Sequence, residues 1–216
     1  MKIMVIVRLM KEIDIEEATR FLRDHFYGQE PLMQTPGAEP VAYDDPKRRE
    51  YRLSLIRQGT SLAALDGERI VGVAFAGILR PNDLEQNWLD VNEQKPQQLI
   101  EHVHYFLSDV ERRARIFEQY NVADSLYLSI LAVDAAVRRQ GLGRRLVSAL
   151  MELGRAKGLP LLFTTCTSLY STRVMAALSM DCVLSAPYAD YKDDQGIAVI
   201  QPPAPHTAVT VMAIKL

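Results

Sequence analysis

The feature that most constrains the fold is a strand, a basic glycine-rich turn and a helix in immediate succession, between Leu128 and Lys157. The apolar run Ser129–Val133 is long enough for a buried strand. The turn that follows, residues 138–143, has the spacing Arg-x-x-Gly-x-Gly. Apolar residues then recur at helical spacing, at Leu146, Val147, Leu150 and Leu153. This succession predicts an α/β unit at the centre of the chain.

The same turn is a candidate anion site. Glycines let the backbone come close to a ligand, and the N–H groups at the start of a helix favour negative charge. Arginines add positive charge to this corner, at Arg138, Arg139, Arg144 and Arg145. The spacing alone leaves two interpretations open, a phosphate-binding turn or a strand-to-helix corner with surface arginines.

Composition excludes several other classes of protein. The 216 residues are 48% hydrophobic and 24% charged, which is typical of a soluble globular chain, and we expect one domain over residues 1–216. The net charge of −2 gives no bulk basicity for nucleic acid. No run reaches the about 18 apolar residues of a membrane helix. Two cysteines fit neither a disulfide framework nor a zinc site. We therefore expect a cytoplasmic monomer that binds no nucleic acid and no membrane.

The rest of the chain predicts further strands and helices around this unit. Strands are predicted over residues 2–9, 60–66, 69–79, 159–164, 182–191 and 207–214. The first helix should begin with a capping box of Asp14 and Glu17, and the second near Pro46. Residues 81–96 are predicted to be irregular and 97–120 to be one long helix. Because strands alternate with helices in the middle and pair as hairpins near the ends, we predict one α/β domain with a mixed sheet.

Glu30 is the first candidate for proton transfer. It lies in a loop rich in apolar residues, including Phe26, Tyr27 and Leu32. Burial would raise the pKa of its carboxyl and make it a proton acceptor near neutral pH. The alternative is an ordinary surface glutamate.

A second candidate is the hydroxyl-rich segment 164–171, where a strand leads into a helix. Capping by Thr167 or Ser168 accounts for one hydroxyl, but Ser171 lies a turn further along. Cys166 follows an apolar strand and is predicted to be a buried structural thiol. His206 lies in a stiff proline-rich bend, where a packed or solvated histidine is the usual outcome. His102 and His104 point to different faces of a helix, so a shared metal is not expected.

Several segments resemble a known family. ILAVDAAVRRQGLGRRL resembles motif A of the GNAT superfamily of N-acetyltransferases, whose signature is Q/R-x-x-G-x-G/A. HFYGQEPL at 25–32, CTSLYSTRVM at 166–175 and the tail 188–216, with its P-x-x-P-H bend, resemble the insect-type arylalkylamine N-acetyltransferase branch. The resemblance extends over nearly the whole chain.

The resemblance implies a single-domain acetyltransferase fold, in which helices flank a twisted mixed sheet. Two adjacent parallel strands, ending near Val133 and Thr165, would splay apart to hold acetyl-CoA. The backbone of Leu131, Ala132 and Val133 would bind the pantetheine arm as though extending the sheet. The pyrophosphate would lie on the turn formed by Arg138, Arg139, Gln140, Gly141, Leu142, Gly143 and Arg144.

The resemblance also implies roles in catalysis. Glu30 matches the branch's general base, and Ser171 matches a serine that protonates the leaving thiolate. Thr167 takes the place of a second serine, with an added methyl group. Met175 stands where many other members of the superfamily have a tyrosine acid, and it cannot donate a proton. Residues implied in substrate binding are Tyr27, Pro31 and His206.

The implied reaction is transfer of the acetyl group of acetyl-CoA to a primary amine, by direct attack in a ternary complex and without a metal. The acceptor would be a small biogenic amine. It could be an arylalkylamine such as dopamine, serotonin or tyramine, or a cationic alkylamine such as agmatine or a polyamine. The alternative is a non-catalytic CoA-binding sensor or interaction module.

Overall fold

The fold is built on one mixed seven-stranded sheet. The computed structural model describes residues 5–39, 42, 44–93 and 96–216. The sheet order is β1-β2-β3-β4-β5-β7-β6, with all neighbours antiparallel except the parallel pair of β4 and β5. The strands are β1 (Val5–Leu9), β2 (Leu62–Asp66), β3 (Arg69–Leu79), β4 (Ser125–Val133), β5 (Leu161–Cys166), β6 (Asp181–Pro187) and β7 (Ala208–Lys215). The predicted mixed α/β sheet is confirmed. Residues 2–4 of the predicted first strand lie outside the described residues.

Helices cover both faces of the sheet. They are α1 (Ile15–His25), α2 (Pro46–Arg57), α3 (Pro81–Asn92), α4 (Leu99–Ala114), α5 (Ile116–Tyr120), α6 (Leu142–Ala156) and α7 (Leu169–Ala176). On one face, apolar residues of α6 and α7 pack on β2 to β5. On the other face, α1 and α2 cover β2 and β3, whereas α4 and α5 cover β5 and β7. A gap between these two groups of helices opens towards β4. None of the helices in the described ranges is long and apolar enough to cross a membrane.

The sheet divides between β4 and β5. In the described chain these strands pair at two positions, Leu126 with Leu162 and Tyr127 with Phe163. Beyond them, the Thr164 hydroxyl donates to the Leu128 carbonyl at 2.7 Å. β3 stays paired with β4 as far as Val133, while β5 continues along β7. The predicted splayed pair of parallel strands is therefore confirmed, and the second half of β4 has a backbone edge free for a ligand.

Two helical predictions are wrong. Residues 81–92, expected to be irregular, form α3, because Pro81 suits a first helical turn and the Asp83 carboxylate accepts a hydrogen bond from the Arg80 N–H at 2.7 Å. The long helix expected over 97–120 ends at Ala114, since Arg115 adopts a left-handed conformation with φ of 46°. This turn redirects the chain, and Ile116 is fully buried beyond it.

The predicted capping box of α1 is also wrong. The Asp14 carboxylate instead accepts from the Arg8 guanidinium and the Lys11 N–H, both at 2.7 Å. Glu17 accepts from the N–H of Ile70 at 2.8 Å and thereby ties α1 to β3. The second helix begins as predicted, with Asp45 accepting from the Lys47 N–H at 2.7 Å.

Candidate active site

A cavity of about 650 Å³ lies where β4 and β5 splay apart. Its walls come from the loop after α1, from α2 and α4, from β4, and from the segment 164–171. Glu30, Thr167 and Ser171 therefore share one cavity, although more than 130 positions separate the glutamate from the two hydroxyls. Leu131 of β4 borders the same space. The sequence predicted these four residues for one site, and the fold brings them together.

Glu30 lies in the cavity wall between two short 3-10 turns, Tyr27–Gln29 and Pro31–Gln34. The side chain is half-buried, and the Leu32 N–H lies 3.5 Å from Oε1. Burial raises the pKa of the Glu30 carboxyl, while hydrogen bonding to the Thr167 hydroxyl and the Leu32 N–H partly opposes the rise. Such a carboxylate holds a proton at higher pH than an ordinary glutamate does.

The hydroxyls of Ser168 and Ser171 form a reciprocal capping box at the start of α7. Ser168 is the N-cap, and its Oγ accepts from the Ser171 N–H at 3.0 Å. The Ser171 hydroxyl donates to the Ser168 carbonyl at 2.9 Å and lies 2.8 Å from the Ser168 hydroxyl. The Ser171 hydroxyl also accepts from the Ser168 N–H at 3.3 Å, which completes a capping box, and Ser171 at the same time lines the cavity.

Cys166 lies beside this group but is suited to a structural role. Its side chain is buried, and burial raises the pKa of the thiol to about 12. The thiol therefore stays protonated at neutral pH and is a poor nucleophile. This geometry agrees with the role predicted from the sequence.

The basic turn leads directly into α6. Gly141 is the N-cap, with φ of 79°, a conformation that side chains disfavour. The first intrahelical hydrogen bond of α6 runs from the Arg145 N–H to the Gly141 carbonyl at 3.0 Å. The preceding N–H groups, from Leu142 to Arg144, consequently point out of the helix end, where an anion is favoured.

Two of the four arginines bind the protein itself. The Arg138 guanidinium donates to the Val133 carbonyl at 2.9 Å and to the His25 carbonyl at 3.2 Å. Arg145 donates to the Val5 carbonyl at 2.7 Å. Arg138 therefore links the turn to the end of β4 and to the last residue of α1.

Of the three predicted substrate-binding residues, only Tyr27 lines the cavity. Its hydroxyl accepts from Arg52 at 3.0 Å. Pro31 is buried beside Glu30, behind the cavity wall. His206 lies outside the wall, and its Nδ1 accepts from the Leu169 N–H at 3.1 Å at the start of α7.

Sequence reasoning missed a polar group on the α4 side of the cavity. The Glu111 carboxylate accepts hydrogen bonds at Oε1 from the Tyr127 hydroxyl at 2.8 Å and the Thr165 hydroxyl at 2.7 Å. Nearby, the Tyr51 hydroxyl donates to Ser129 at 3.2 Å, and all five residues line the cavity. The sequence does contain a signal for Glu111. It follows Val103 and Leu107 at intervals of four residues on one helical face, where an apolar residue is expected.

A match to a protein-family model covers residues 28–178, more than half of the chain, and that model describes the GNAT acetyltransferase family. Solved structures resemble the whole chain. A Drosophila melanogaster polyamine N-acetyltransferase that forms N-acetylagmatine is 29% identical, with a TM-score of 0.88, covering 99% of this chain and 100% of that one. An agmatine N-acetyltransferase is 30% identical, with a TM-score of 0.87 and coverage of 98% and 99%.

An arylalkylamine N-acetyltransferase from Aedes aegypti is 24% identical, with a TM-score of 0.88, and it covers 98% of each chain. At that identity, the likeness supports the fold alone. The family match and the full-length likeness agree with the splayed strands and the basic turn found in this structure. The chain belongs to the GNAT family of acetyltransferases.

Proposed function

We propose that this acetyltransferase transfers the acetyl group of acetyl-CoA to the primary amine of a small biogenic amine, held in the cavity between β4 and β5. The observation that carries the proposal is the meeting of Glu30, Thr167 and Ser171 in one cavity bordered by β4. The polyamine and agmatine N-acetyltransferases that share the whole fold support an amine as acceptor.

The structure offers acetyl-CoA two complementary surfaces. The second half of β4 has a free backbone edge, on which Leu131, Ala132 and Val133 would bind the pantetheine arm. The N–H groups at the start of α6, with the turn from Arg138 to Arg144, would bind the pyrophosphate. Acetyl-CoA supplies an acetyl group already activated as a thioester.

Glu30 is the proposed general base. A primary alkyl amine has a pKa of about 10, like lysine, and arrives as an ammonium that cannot attack a carbonyl. The Glu30 carboxylate attracts this cation and accepts its proton, directly or through water, and its raised pKa suits that transfer near neutral pH. Thr167 lines the same cavity, and its hydroxyl favours the charged form of Glu30.

Ser171 is the proposed acid for the leaving thiolate. As the nitrogen bonds to the acetyl carbon and the carbon–sulfur bond breaks, the thiolate needs a proton. The Ser171 hydroxyl donates it and is in contact with the Ser168 hydroxyl, which can return one. His206 is a proposed positioning residue, because it accepts from the N–H at the first residue of α7 and so holds that helix in place.

A panel of amines tested with acetyl-CoA, with thiol release as the readout, examines this function. We expect release with at least one primary amine, and loss of release in Glu30→Gln while acetyl-CoA still binds. Glu39→Gln is the matched control, since Glu39 is an exposed glutamate of the same loop. A failure of every amine in the panel to cause thiol release would favour a non-catalytic CoA-binding sensor or interaction module.

A further inference from the structure

We propose that Glu111 forms a second cation subsite in the acceptor cavity, and that the preferred amine is therefore a dication, such as a diamine or an aminoalkylguanidine. The proposal rests on the amine acetylation proposed above and identifies the class of its acceptor. It assigns to Glu111 a role in specificity, distinct from the proton transfer assigned to Glu30.

The first observation is a buried carboxylate without a counter-ion. Glu111 is 9% exposed and lines the cavity. Of the residues that the structure describes, none forms an ion pair with it, and its Oε2 has no hydrogen-bond partner among them. The other carboxylates buried to this degree, Asp14 and Asp134, each pair with an arginine at 2.7 Å.

The missing ion pair at Glu111 indicates that a ligand would supply a positive charge there. A buried carboxylate is costly unless a cation compensates it. Neutral donors are already present, because Tyr127 and Thr165 both donate to Oε1. Lys47, Arg48 and Arg52 line the same cavity, but no described cation forms an ion pair with Glu111. An ammonium or guanidinium group at Oε2 would supply both the charge and the remaining donor.

The second observation is the spacing of the two carboxylates. Glu30 and Thr167 line the same cavity, and Glu111 accepts from the Thr165 hydroxyl at 2.7 Å. Residues two apart in an extended segment lie on the same face, about 7 Å from each other. An extended chain of four methylenes places its terminal nitrogens about 6 Å apart, from ordinary bond lengths. A diamine of this length matches the spacing expected between the two threonines, and we infer that it bridges Glu30 and Glu111.

The wall between the polar ends suits such a chain. Before Glu111, α4 contributes the apolar residues Ile100, Val103 and Leu107 to the cavity, together with His104. Methylenes gain from contact with apolar residues. A phenol would also satisfy Oε2 but would leave the carboxylate charge uncompensated, and this favours the dication over the arylalkylamine.

Two amines of equal length test the subsite. 1,4-Diaminobutane has a second ammonium group at the end where pentylamine has a methyl group. We expect kcat/KM to favour the diamine by about ten- to a hundred-fold, the effect of a hydrogen-bonded charge in a buried site. Glu111→Gln keeps an acceptor for Tyr127 and Thr165 but removes the charge. It should raise KM for the diamine much more than KM for pentylamine, so the ratio of the two kcat/KM values should fall towards one.

Controls separate this proposal from a loss of folding and from failure of the proposed function. Glu152→Gln, an exposed change on α6, should retain the diamine preference. Glu111→Asp keeps the charge and should retain a preference of the same sign. Calorimetric binding of 1,4-diaminobutane to the enzyme–CoA complex, where no acetyl transfer is possible, should weaken at least about tenfold in Glu111→Gln.

Equal losses for both amines in Glu111→Gln, or equal kcat/KM values in the wild type, would overturn the subsite while leaving amine acetylation intact. A loss confined to tyramine would also overturn it and would show that Glu111 recognises a hydroxyl group. Diamine binding that depends on Glu111, without thiol release from any amine, would support the subsite and overturn the proposed function.

Discussion

At the scale of single residues, Glu30 and Glu111 are two carboxylates in one cavity that differ in their hydrogen bonds. Burial raises the pKa of both. Glu111 is held by two hydroxyl donors within 2.8 Å, whereas the Leu32 N–H lies 3.5 Å from Glu30. A firmly held carboxylate suits a fixed anchor for charge, and a loosely held one suits a group that must gain and lose a proton. The geometry thus assigns them different tasks.

Replacing Glu30 by Gln should lower kcat/KM by about 10²- to 10⁴-fold, the usual contribution of general acid–base catalysis. In the wild type, kcat/KM should decline as pH falls and Glu30 becomes protonated. The midpoint of that decline should lie above the ordinary glutamate pKa of 4.5, because burial raises the pKa of Glu30. A pH–rate profile measures this midpoint. Full activity of the variant at neutral pH would exclude Glu30 as the base.

Replacing Ser171 by Ala should reduce kcat with little change in stability. The change keeps the bond from the Ser171 N–H to the Ser168 hydroxyl at 3.0 Å and removes only the longer reciprocal bond, from the Ser168 N–H to the Ser171 hydroxyl at 3.3 Å. Ser168→Ala is the matched control, and it should lower the free energy of unfolding by about 1 kcal/mol through loss of the cap. An unchanged kcat in Ser171→Ala would remove this serine from the mechanism.

Glu111→Gln should stabilise the ligand-free protein at alkaline pH. Burial raises the pKa of Glu111 in the folded state. Between the unfolded and folded pKa values the folded state binds more protons, so wild-type stability falls as pH rises through this window. Each unit of the raised pKa corresponds to about 1.4 kcal/mol.

Thermal unfolding at pH 4 and pH 8 checks the effect of Glu111→Gln. The variant should be close to the wild type at pH 4, where the carboxyl is mostly protonated in both states, and exceed it at pH 8. A variant that is less stable by the same amount at both pH values would show that the Glu111 charge does not destabilise the folded protein.

At the scale of elements, the turn before α6 depends on one backbone conformation. Gly141 has φ of 79°, which an alanine adopts only with strain of about 1–2 kcal/mol. α6 itself is fixed by buried residues that pack on the sheet, among them Leu146, Val147 and Leu150. The helix start can therefore shift while the helix stays in place.

Gly141→Ala should raise the KM for acetyl-CoA several-fold, because the N–H groups at the start of α6 lose their alignment. Gly158→Ala is the matched control. Gly158 has φ of 73°, and a methyl group on its Cα would meet open space, but it lies at the far end of α6. Both variants should lose similar stability in thermal unfolding, and steady-state kinetics should show the KM change in Gly141→Ala alone. A rise of equal size in both would point to general destabilisation.

Elements with strong local signals were predicted well from the sequence, and elements set by tertiary contacts were not. The hairpin of β2 and β3 and the succession of β4, turn and α6 appear within a few residues of their predicted bounds. α3 was missed because it is short of apolar residues, and Leu84 is its one buried residue. The break at Arg115 was missed because its cause is the packing of Ile116 into the core.

At the scale of the whole molecule, the splay of β4 and β5 leaves the sheet joined at two paired positions in the described chain. One half contains β1 to β4, and the other contains β5 to β7. CoA bound along the free edge of β4 would connect these halves. CoA binding should therefore stabilise both halves of the sheet and not only the turn before α6.

CoA at a hundred times its Kd should stabilise the protein by about 2.7 kcal/mol. Hydrogen exchange should slow in β4, in β5 and at the start of α6. ADP, which lacks the pantetheine arm, is the matched control and should slow exchange at the turn without protecting the strand edges. Equal protection by both ligands would contradict the proposed place of the arm on β4.

Some parts of the protein can be predicted from local sequence signals. Strand, turn and helix follow one another between residues 128 and 157, and their glycine spacing and apolar periodicity depend on near neighbours in the chain. The family resemblance then implies catalytic roles for Glu30 and Ser171.

The tertiary structure alone decided which polar groups share a cavity with them. Glu111 meets Tyr127, 16 positions away, and Thr165, 54 positions away. No short-range pattern encodes such contacts, because they arise where a helix crosses two strands that have separated. The fold thus leaves the Glu111 carboxylate without an ion pair among the residues that the structure describes.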